Sequence, residues 1–369
     1  MRKVIDIAFC VDDAFAIHLA VLIYSIGLFI DDGYSIKCHI IGDVNNENQE
    51  KLNKLSSPVV SLFFYSDVPN YTHIPISKVY KGRLKSVTYY RFSIPEILYF
   101  IDRVIFIDAD MIALDDISFL WNVDLKDNIV GVVSDHVVGD NVIKQNKLGI
   151  KCGKYFNAGL ILMDLVKWRR NHISEKALNL LVENSGFEHN DQDALNIVLE
   201  NKSLYLDLRW NTQPDHLRAG LVQEPVLVHF CGQEKPWHVS SAHPYTMHYL
   251  SYREKTPYKD TSLECYLDDD DHELIKRLLV TLPSGGRVAV WGAGQRGRRV
   301  CYYLKYMMKD YQLVYIIDKN AQGSYLGVDI TNKILDNIKI DALIIASIPY
   351  RDEIIREINT ASINNMNII

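Results

Sequence analysis

The chain is short of cysteine, has no excess of positive charge, and lacks an uninterrupted hydrophobic run of membrane-spanning length. Its six cysteines (Cys10, Cys38, Cys152, Cys231, Cys265, Cys301) stand singly, with no CxxC pair. That excludes a zinc ribbon and a dense disulfide framework, and fits reduced thiols in a cytosolic protein. The 40 Lys+Arg face 46 Asp+Glu, a formal net charge of -6. A broad nucleic-acid footprint is thereby excluded, and no nucleic acid is expected as a partner. The most apolar stretch, Ala14 to Ile30, is interrupted by His18 and Ser25 and flanked by Asp12-Asp13 and Asp31-Asp32. A spanning helix prefers basic flanks and about 20 apolar residues, so this stretch reads as a buried helix. Asp6, Asp12 and Asp13 also break any signal peptide after Met1-Arg2-Lys3. The expectation is a cytoplasmic protein that meets the inner face of a membrane only peripherally, through its substrate.

What is present is globular. Apolar types make up 48% and charged types 23% of 369 residues, enough for two or three domains. Val4 to Val11, Ser35 to Ile41 and Val59 to Tyr65 read as strands. Helices lie between them, from Phe15 to Ile30 and from Asn45 to Leu55. This β-α-β-α-β alternation predicts an α/β fold with an open, mostly parallel sheet. Ligands of such sheets sit at the carboxyl ends of the strands, where Asp12, Asp13 and Asp43 lie. Further along, the pattern predicts a helix over Thr88–Leu98 and another over Asp191–Leu199. Strands are predicted at Val104–Ile107, Ile129–Ser134, Gly159–Met163 and Val226–His229.

Asp108-Ala109-Asp110 is the sharpest chemical feature. Residues two apart in an extended chain point to one side, so the pair offers two carboxylates to a hard divalent cation that bridges a diphosphate. The competing reading is a polar strand end whose acids cap a helix near Ile117. The segment His229 to Trp237 adds His229 as a third metal ligand, Gly232 for close backbone approach, and Lys235 as a point charge for phosphate. Alone, His229 would read as a core histidine.

The motif series resembles the retaining glycosyltransferases of family 8, which include bacterial lipopolysaccharide galactosyl- and glucosyltransferases and glycogenin. The segments that carry it are IDIAFCVDDAF, TYYRFSIPEIL, VIFIDADMIALDDISFLW, GVVSDH, YFNAGLILMDLVKWRR, NDQDALNIVL, the WN at Trp210-Asn211, and HFCGQEKPWH. They occur in the family's order over residues 4–240. The resemblance implies a nucleotide-diphospho-sugar transferase (GT-A) fold with a mixed, mostly parallel sheet. It implies that Asp108, Asp110 and His229 bind Mn²⁺ or Mg²⁺ on the diphosphate of a UDP-hexose donor. Cys10 and Asp12 would hold uridine, and Phe15 would stack on it. Arg91 would contact donor phosphate or sugar hydroxyls. Asn157, Asp191 and Gln192 would line the donor sugar, Asp135 would lie toward the acceptor, and Gly232 and Lys235 would close over the pyrophosphate. Family members often carry Asn-Tyr where this chain has Ala14-Phe15, which removes one polar contact to the base. Of the two carboxamide and carboxylate candidates on the sugar's far face, Gln192 is a poor nucleophile. Same-face attack is therefore favoured, with a leaving-group phosphate oxygen taking the acceptor proton. The acceptor is expected to be a saccharide or glycolipid. Galactose and glucose differ at one hydroxyl, and the sequence leaves that choice open.

Composition shifts near residue 262. Four consecutive acids, Asp268 to Asp271, open a helical pattern and read as a solvated helix start suited to the helix dipole. After the Pro283-Ser284-Gly285-Gly286 turn, a strand leads into Gly292-Ala293-Gly294-Gln295-Arg296-Gly297, and a second strand ends at Asp318. That spacing suits a phosphate cradle of Gly292, Gly294 and Gly297, with Asp318 reaching a ribose. The segment resembles small Rossmann-like modules appended to bacterial polysaccharide and sugar-modifying enzymes. The expected plan is a glycosyltransferase domain over 1–262, an acidic helical linker over 263–282, and a Rossmann-like nucleotide-binding or docking module over 283–369. Two other readings compete. One is an NAD-linked sugar oxidoreductase working through the C-terminal module. The other is a non-catalytic sugar-nucleotide sensor, whose sign would be loss of the metal set, and that set is intact.

Overall fold

The computed structural model describes residues 2–77, 86–139, 141–184, 186–335, 338–360 and 366–369. They fall into two compact units: Met1–Gln233 with Met247–Thr261, and Glu234–Thr246 with Ser262–Ile369.

The first unit is built on strands β1 (Lys3–Cys10), β2 (Tyr34–Ile41), β3 (Val60–Tyr65), β4 (Arg103–Ile107), β5 (Met111–Ala113), β6 (Val130–Ser134), β7 (Phe156–Asp164), β8 (Ser203–Tyr205) and β9 (Leu227–His229). Seven of them form one sheet in the order β3-β2-β1-β4-β7-β6-β8, and β5 pairs with β9. The β1–β2, β2–β3, β1–β4 and β6–β8 pairs are parallel, and β7 runs antiparallel to both β4 and β6. The sheet is thus mixed but mostly parallel. Ile5, Ile7, Ala8 and Phe9 of β1 are completely buried, as expected of a central strand covered on both faces.

The apolar stretch after β1 is a core helix, Ala16–Phe29, buried on nearly every side. Its two polar interruptions are satisfied internally. His18 Nδ1 lies 2.7 Å from the Tyr249 hydroxyl. Ser25 Oγ donates to Leu22 O and accepts from the Ala113 N–H at 2.9 Å. Among the described residues no helix is long and apolar enough to cross a membrane.

One predicted helix is reshaped. Over Thr88–Leu98 the chain forms a 3-10 segment, Ser86–Ser93, then one short α-turn, Ile94–Ile97, with Pro95 in its first turn. Proline fits the first turn of a helix, where its missing N–H is not needed, but not the middle.

The second unit has its own sheet of β10 (Gly286–Trp291), β11 (Tyr311–Ile317), β12 (Gly323–Tyr325), β13 (Val328–Thr331), β14 (Ala342–Ile345) and β15 (Asn367–Ile368), in the order β12-β13-β11-β10-β14-β15. All its pairs are parallel except β12–β13. The acidic run is not simply a solvated helix start. Asp268 caps the helix Asp269–Thr281, accepting from the Asp271 N–H at 2.8 Å, while Asp271 is 0% exposed. Asp271 receives Arg296 Nε and Arg299 Nε, each at 2.7 Å. Asp268 receives Arg296 Nη2 at 3.2 Å and Arg299 Nη2 at 2.6 Å. Leu274, Ile275 and Leu278 of the same helix join the unit's apolar core. The segment expected as a linker is therefore part of this unit's fold.

Removing one member of a buried, hydrogen-bonded charge network leaves its partners uncompensated, at a cost of about 3 kcal/mol or more. Asp271→Asn should raise backbone hydrogen exchange in helices Asp269–Thr281 and Gln295–Met307 of the full chain while sparing β1–β4. Equal exchange in variant and wild type would refute this. Partial burial pushes the Asp268 carboxyl up, but the Asp271 N–H and the two arginines outweigh it and hold it below the ordinary carboxylate range. Its stabilisation is therefore present above that range, and should be lost as pH falls through the folded value.

Candidate active site

The site lies where β4 ends and β5 begins. Asp108 and Asp110 sit between those strands, 119 and more residues ahead of His229 in the chain. The antiparallel β5–β9 ladder closes that gap: Met111 faces His229, and the Phe230 N–H donates to Asp110 O at 2.9 Å. Ligand atoms of Asp108, Asp110 and His229 come within 4.8 Å of one another. His229 Nε2 is 3.2 Å from Asp110 Oδ1. The helix near Ile117 is not capped by this pair; Asp116 takes the Ser118 N–H at 2.9 Å instead.

Strand β7 supplies the floor. Its pairing with β6 jumps from Val132–Ile161 to Val133–Asn157, so Ala158, Gly159 and Leu160 have no partner on that side. Irregularities of this kind release backbone groups and re-aim side chains. Here the Ala158 N–H donates to Gln192 Oε1 at 3.0 Å, and Ala158 O accepts from Arg91 Nη1 at 2.8 Å. The Gly159 N–H donates to Asn157 Oδ1 at 3.0 Å, and Gly159 O accepts from the Asp108 N–H at 2.8 Å. A Cβ at Gly159 would lie 2.4 Å from His229 Cε1, so only glycine leaves room for the imidazole.

Arg91 is buried and bridges two acids. Its Nη2 is 3.1 Å from Asp108 Oδ1, its Nη1 is 3.1 Å from Asp191 Oδ2, and its guanidinium lies 4.5 Å from the Phe106 ring centroid. Asp191 opens the helix Asp191–Val198 and also accepts from Thr88 Oγ1 at 3.0 Å. The residue before it, Asn190, has φ 46°, a left-handed value that is unfavourable for a non-glycine residue. Burial pushes the carboxyls of Asp108 and Asp191 up, and Arg91 works against that push in both. The carboxylates of Asp108 and Asp191 meet Arg91, and that of Asp110 meets His229. Two carboxylates with one imidazole suit Mn²⁺, or Mg²⁺ with more oxygen from a ligand. The donor set fits the ion.

Asn157 and Asp135, both 7% exposed, continue the polar layer. Asp135 Oδ1 accepts the N–H groups of Val137 and Val138, and Oδ2 accepts from Asn157 Nδ2 and Gln192 Nε2, each at 3.3 Å. Gln192 Nε2 also lies 3.3 Å from the Tyr155 hydroxyl. Cys10 ends β1, where burial pushes its thiol up and keeps it neutral. Asp12 caps the turn Asp13–Phe15 by accepting from the Phe15 N–H at 3.3 Å, and the Phe15 ring is 37% exposed. Asp13 is used structurally, taking Asn45 and Asn48 and pinning the helix that follows β2. Gly232 has φ +89°, a backbone state that favours glycine, and nothing lies within 4 Å of where its Cβ would be. Lys235 belongs to the second unit, 5.7 Å from the Trp237 ring centroid.

Sequence reasoning missed three members: Thr88, Gly159 and Asn211. Asn211 is 0% exposed and its Oδ1 is 2.9 Å from His229 Nδ1. The Trp210-Asn211 pair was part of the motif series, so its position was signalled but its role was not.

In the second unit each glycine of the loop has a different role. Gly292 has φ +116°. A Cβ on Gly297 would lie 1.7 Å from Gly292 O, and one on Gly294 would meet nothing within 4 Å. Asp318 is turned onto the loop itself, accepting from the Ala293 N–H at 2.7 Å and from the N–H groups of Asn320 and Ala321.

Comparison with known proteins agrees with this geometry. The sequence family described as glycosyl transferase family 8 matches residues 6–241. A second, described as C2185-like, N-terminal, matches residues 285–369. General stress protein A of Bacillus subtilis (strain 168) is 33% identical over 279 residues, covering 68% of this chain and 96% of that protein. A lipopolysaccharide 1,3-galactosyltransferase of Salmonella typhimurium is 29% identical over 278 residues, covering 70% of this chain and 80% of the relative. The crystal structure of the galactosyltransferase LgtC with donor and acceptor sugar analogues superposes with a TM-score of 0.61 at 22% identity. It covers 73% of this chain and 99% of that one, a likeness of fold. The chain belongs to glycosyl transferase family 8 and is a glycosyltransferase.

Proposed function

We propose that the chain is a metal-dependent, retaining transferase that moves a hexose, galactose or glucose, from a UDP-sugar to a saccharide or glycolipid acceptor. The process served would be synthesis of lipopolysaccharide or another cell-surface polysaccharide, the kind of acceptor named for the Salmonella relative. The observation that carries the reading is the convergence of Asp108, Asp110 and His229, whose ligand atoms lie within 4.8 Å of one another.

When bound there, Mn²⁺ or Mg²⁺ supplies electrostatic stabilisation of a departing diphosphate. The protein does the rest. Asp108, Asp110 and His229 hold the ion, and Arg91 holds Asp108 and Asp191 apart at fixed distance. Phe15 offers an exposed ring to the base, with Cys10 and Asp12 beside it. Lys235 is assigned to the diphosphate by its place in the motif. Asn157, Asp191 and Gln192 face the donor sugar, and Asp135 orients the acceptor side.

In the transfer step the C1–O bond to the diphosphate breaks and a C1–O bond to the acceptor forms. The acceptor hydroxyl proton passes to a phosphate oxygen of the leaving group. Two contacts support same-face attack over a covalent intermediate. Gln192 Oε1, its one nucleophilic atom, is held by the Ala158 N–H. Both oxygens of Asp191 are engaged, by Arg91 and by Thr88. These groups are placed to favour positive charge on the sugar rather than to attack it.

UDP release from UDP-glucose and UDP-galactose, with and without Mn²⁺ and across saccharide acceptors, tests the reading. Asp108→Asn should lose roughly a hundred- to thousandfold in turnover. No turnover with any pair, and no difference between variant and wild type, would overturn it. Gln192→Ala should keep retention of configuration and lose about five- to a hundredfold in kcat, the worth of one orphaned hydrogen-bond set. Intact-mass analysis should find no glycosylated enzyme, and a trapped adduct on Gln192 or Asp191 would count against same-face attack.

A further inference from the structure

The amides beside His229 form a chain whose polarity is fixed from one end. The Gly159 backbone N–H can only donate, and it lies 3.0 Å from one terminal atom of the Asn157 amide. That atom is therefore the oxygen. The other end of Asn157 is the NH₂ group, which faces Asp135 Oδ2, a carboxylate oxygen, at 3.3 Å. The same Asn157 oxygen lies 2.9 Å from Asn211, so Asn211 presents its NH₂ there. What remains of Asn211 is its carbonyl oxygen, 2.9 Å from His229 Nδ1. A carbonyl oxygen only accepts, so Nδ1 carries a hydrogen, and in the neutral ring Nε2 then carries the lone pair. Nε2 is the atom that faces Asp110, at 3.2 Å. Asn211 is 0% and His229 3% exposed, so solvent does not compete for these partners.

We propose that Asn211 is a positioning residue: it holds His229 in the Nδ1–H tautomer and so keeps Nε2 available as a ligand atom for a divalent cation shared with Asp108 and Asp110. This rests on the metal-dependent reading above. The instruction to the imidazole starts at the Gly159 amide and passes through Asn157 and Asn211. Gly159 thus acts twice, once by giving the ring space and once by fixing the polarity of the chain. A histidine ligand whose other nitrogen donates to a fixed acceptor is both oriented and made more basic.

Two measurements on the full chain test it. The first needs no variant at the proposed residue: ¹⁵N-histidine NMR of metal-free wild type at about pH 9, above the ordinary histidine range. The His229 signal is assigned by its loss in His229→Gln. The proposal requires protonated Nδ1 and unprotonated Nε2, and the opposite tautomer overturns it. The second is Mn²⁺ affinity by electron paramagnetic resonance. Asn211→Leu, close in shape but without an acceptor, should bind Mn²⁺ about 10- to 100-fold more weakly. Asn211→Asp still accepts from Nδ1–H but sets its second oxygen against Asn157 Oδ1, so it should weaken Mn²⁺ binding less than Asn211→Leu does. Equal affinities for Asn211→Leu and wild type overturn the proposal, as does equal loss in both variants, which would mark a purely structural role. If wild type itself binds no Mn²⁺, the metal-dependent reading fails, while the tautomer result still decides the role of Asn211.

Discussion

The site depends on one interruption of the sheet, the three residues of β7 that leave the β6 ladder. Ala158 and Gly159 between them lend four backbone groups to Gln192, Arg91, Asn157 and Asp108. In a regular ladder such groups serve strand pairing. A buried N–H or C=O without a partner costs about 1–3 kcal/mol, so each released group has to find one. Those partners are the side chains that carry the chemistry. The irregularity therefore trades main-chain pairing, which is indifferent to sequence, for side-chain contacts that only these residues make. A side chain at position 159 would not merely crowd the site: it would occupy the place of the His229 ring.

The electrostatics follow from that frame. Arg91 is held by Ala158 O and Thr88 O before it meets any acid. Its charge is thus fixed in place between Asp108 and Asp191, and is not free to swing toward a substrate. It works there against the upward push of burial on both carboxyls. Gathering carboxylates where burial disfavours their charge costs the fold stability, and an incoming cation relieves that cost.

Much of this was legible in the sequence, and the limits have physical reasons. Strand ends and the paired acids were readable because apolar runs and local spacing survive in one dimension. His229 was readable as a ligand candidate from its segment. The roles of Asn211 and Thr88 were not, because their partners stand 18 to 103 residues away in the chain and neither residue type is distinctive. Gly159 sits inside an apolar strand run, where a glycine looks like a weak strand position until the imidazole above it is seen. The acidic run Asp268–Asp271 read as solvated because its arginine partners stand 25–31 residues later. Arg296, set within the glycine-loop motif, is paired with those acids.

That last pairing bears on what a motif shows. The glycine loop of the second unit has the spacing of a phosphate cradle, but internal contacts account for much of it. Gly297 is required by the approach of Gly292 O, and Gly292 by its positive φ. The acid that spacing would assign to a ribose closes on the loop, with its two oxygens meeting three backbone N–H groups. Against the pull of partial burial, those donors hold Asp318 below the ordinary carboxylate range. The Asp108 layer differs in kind. There the ligand atoms of two carboxylates and an imidazole come within 4.8 Å of one another. Internal contacts give the loop's glycines and Asp318 a folding role, whereas Asp108, Asp110 and His229 bring three metal-ligating groups together. Motif spacing alone therefore does not decide function, which is argued from the groups a site gathers.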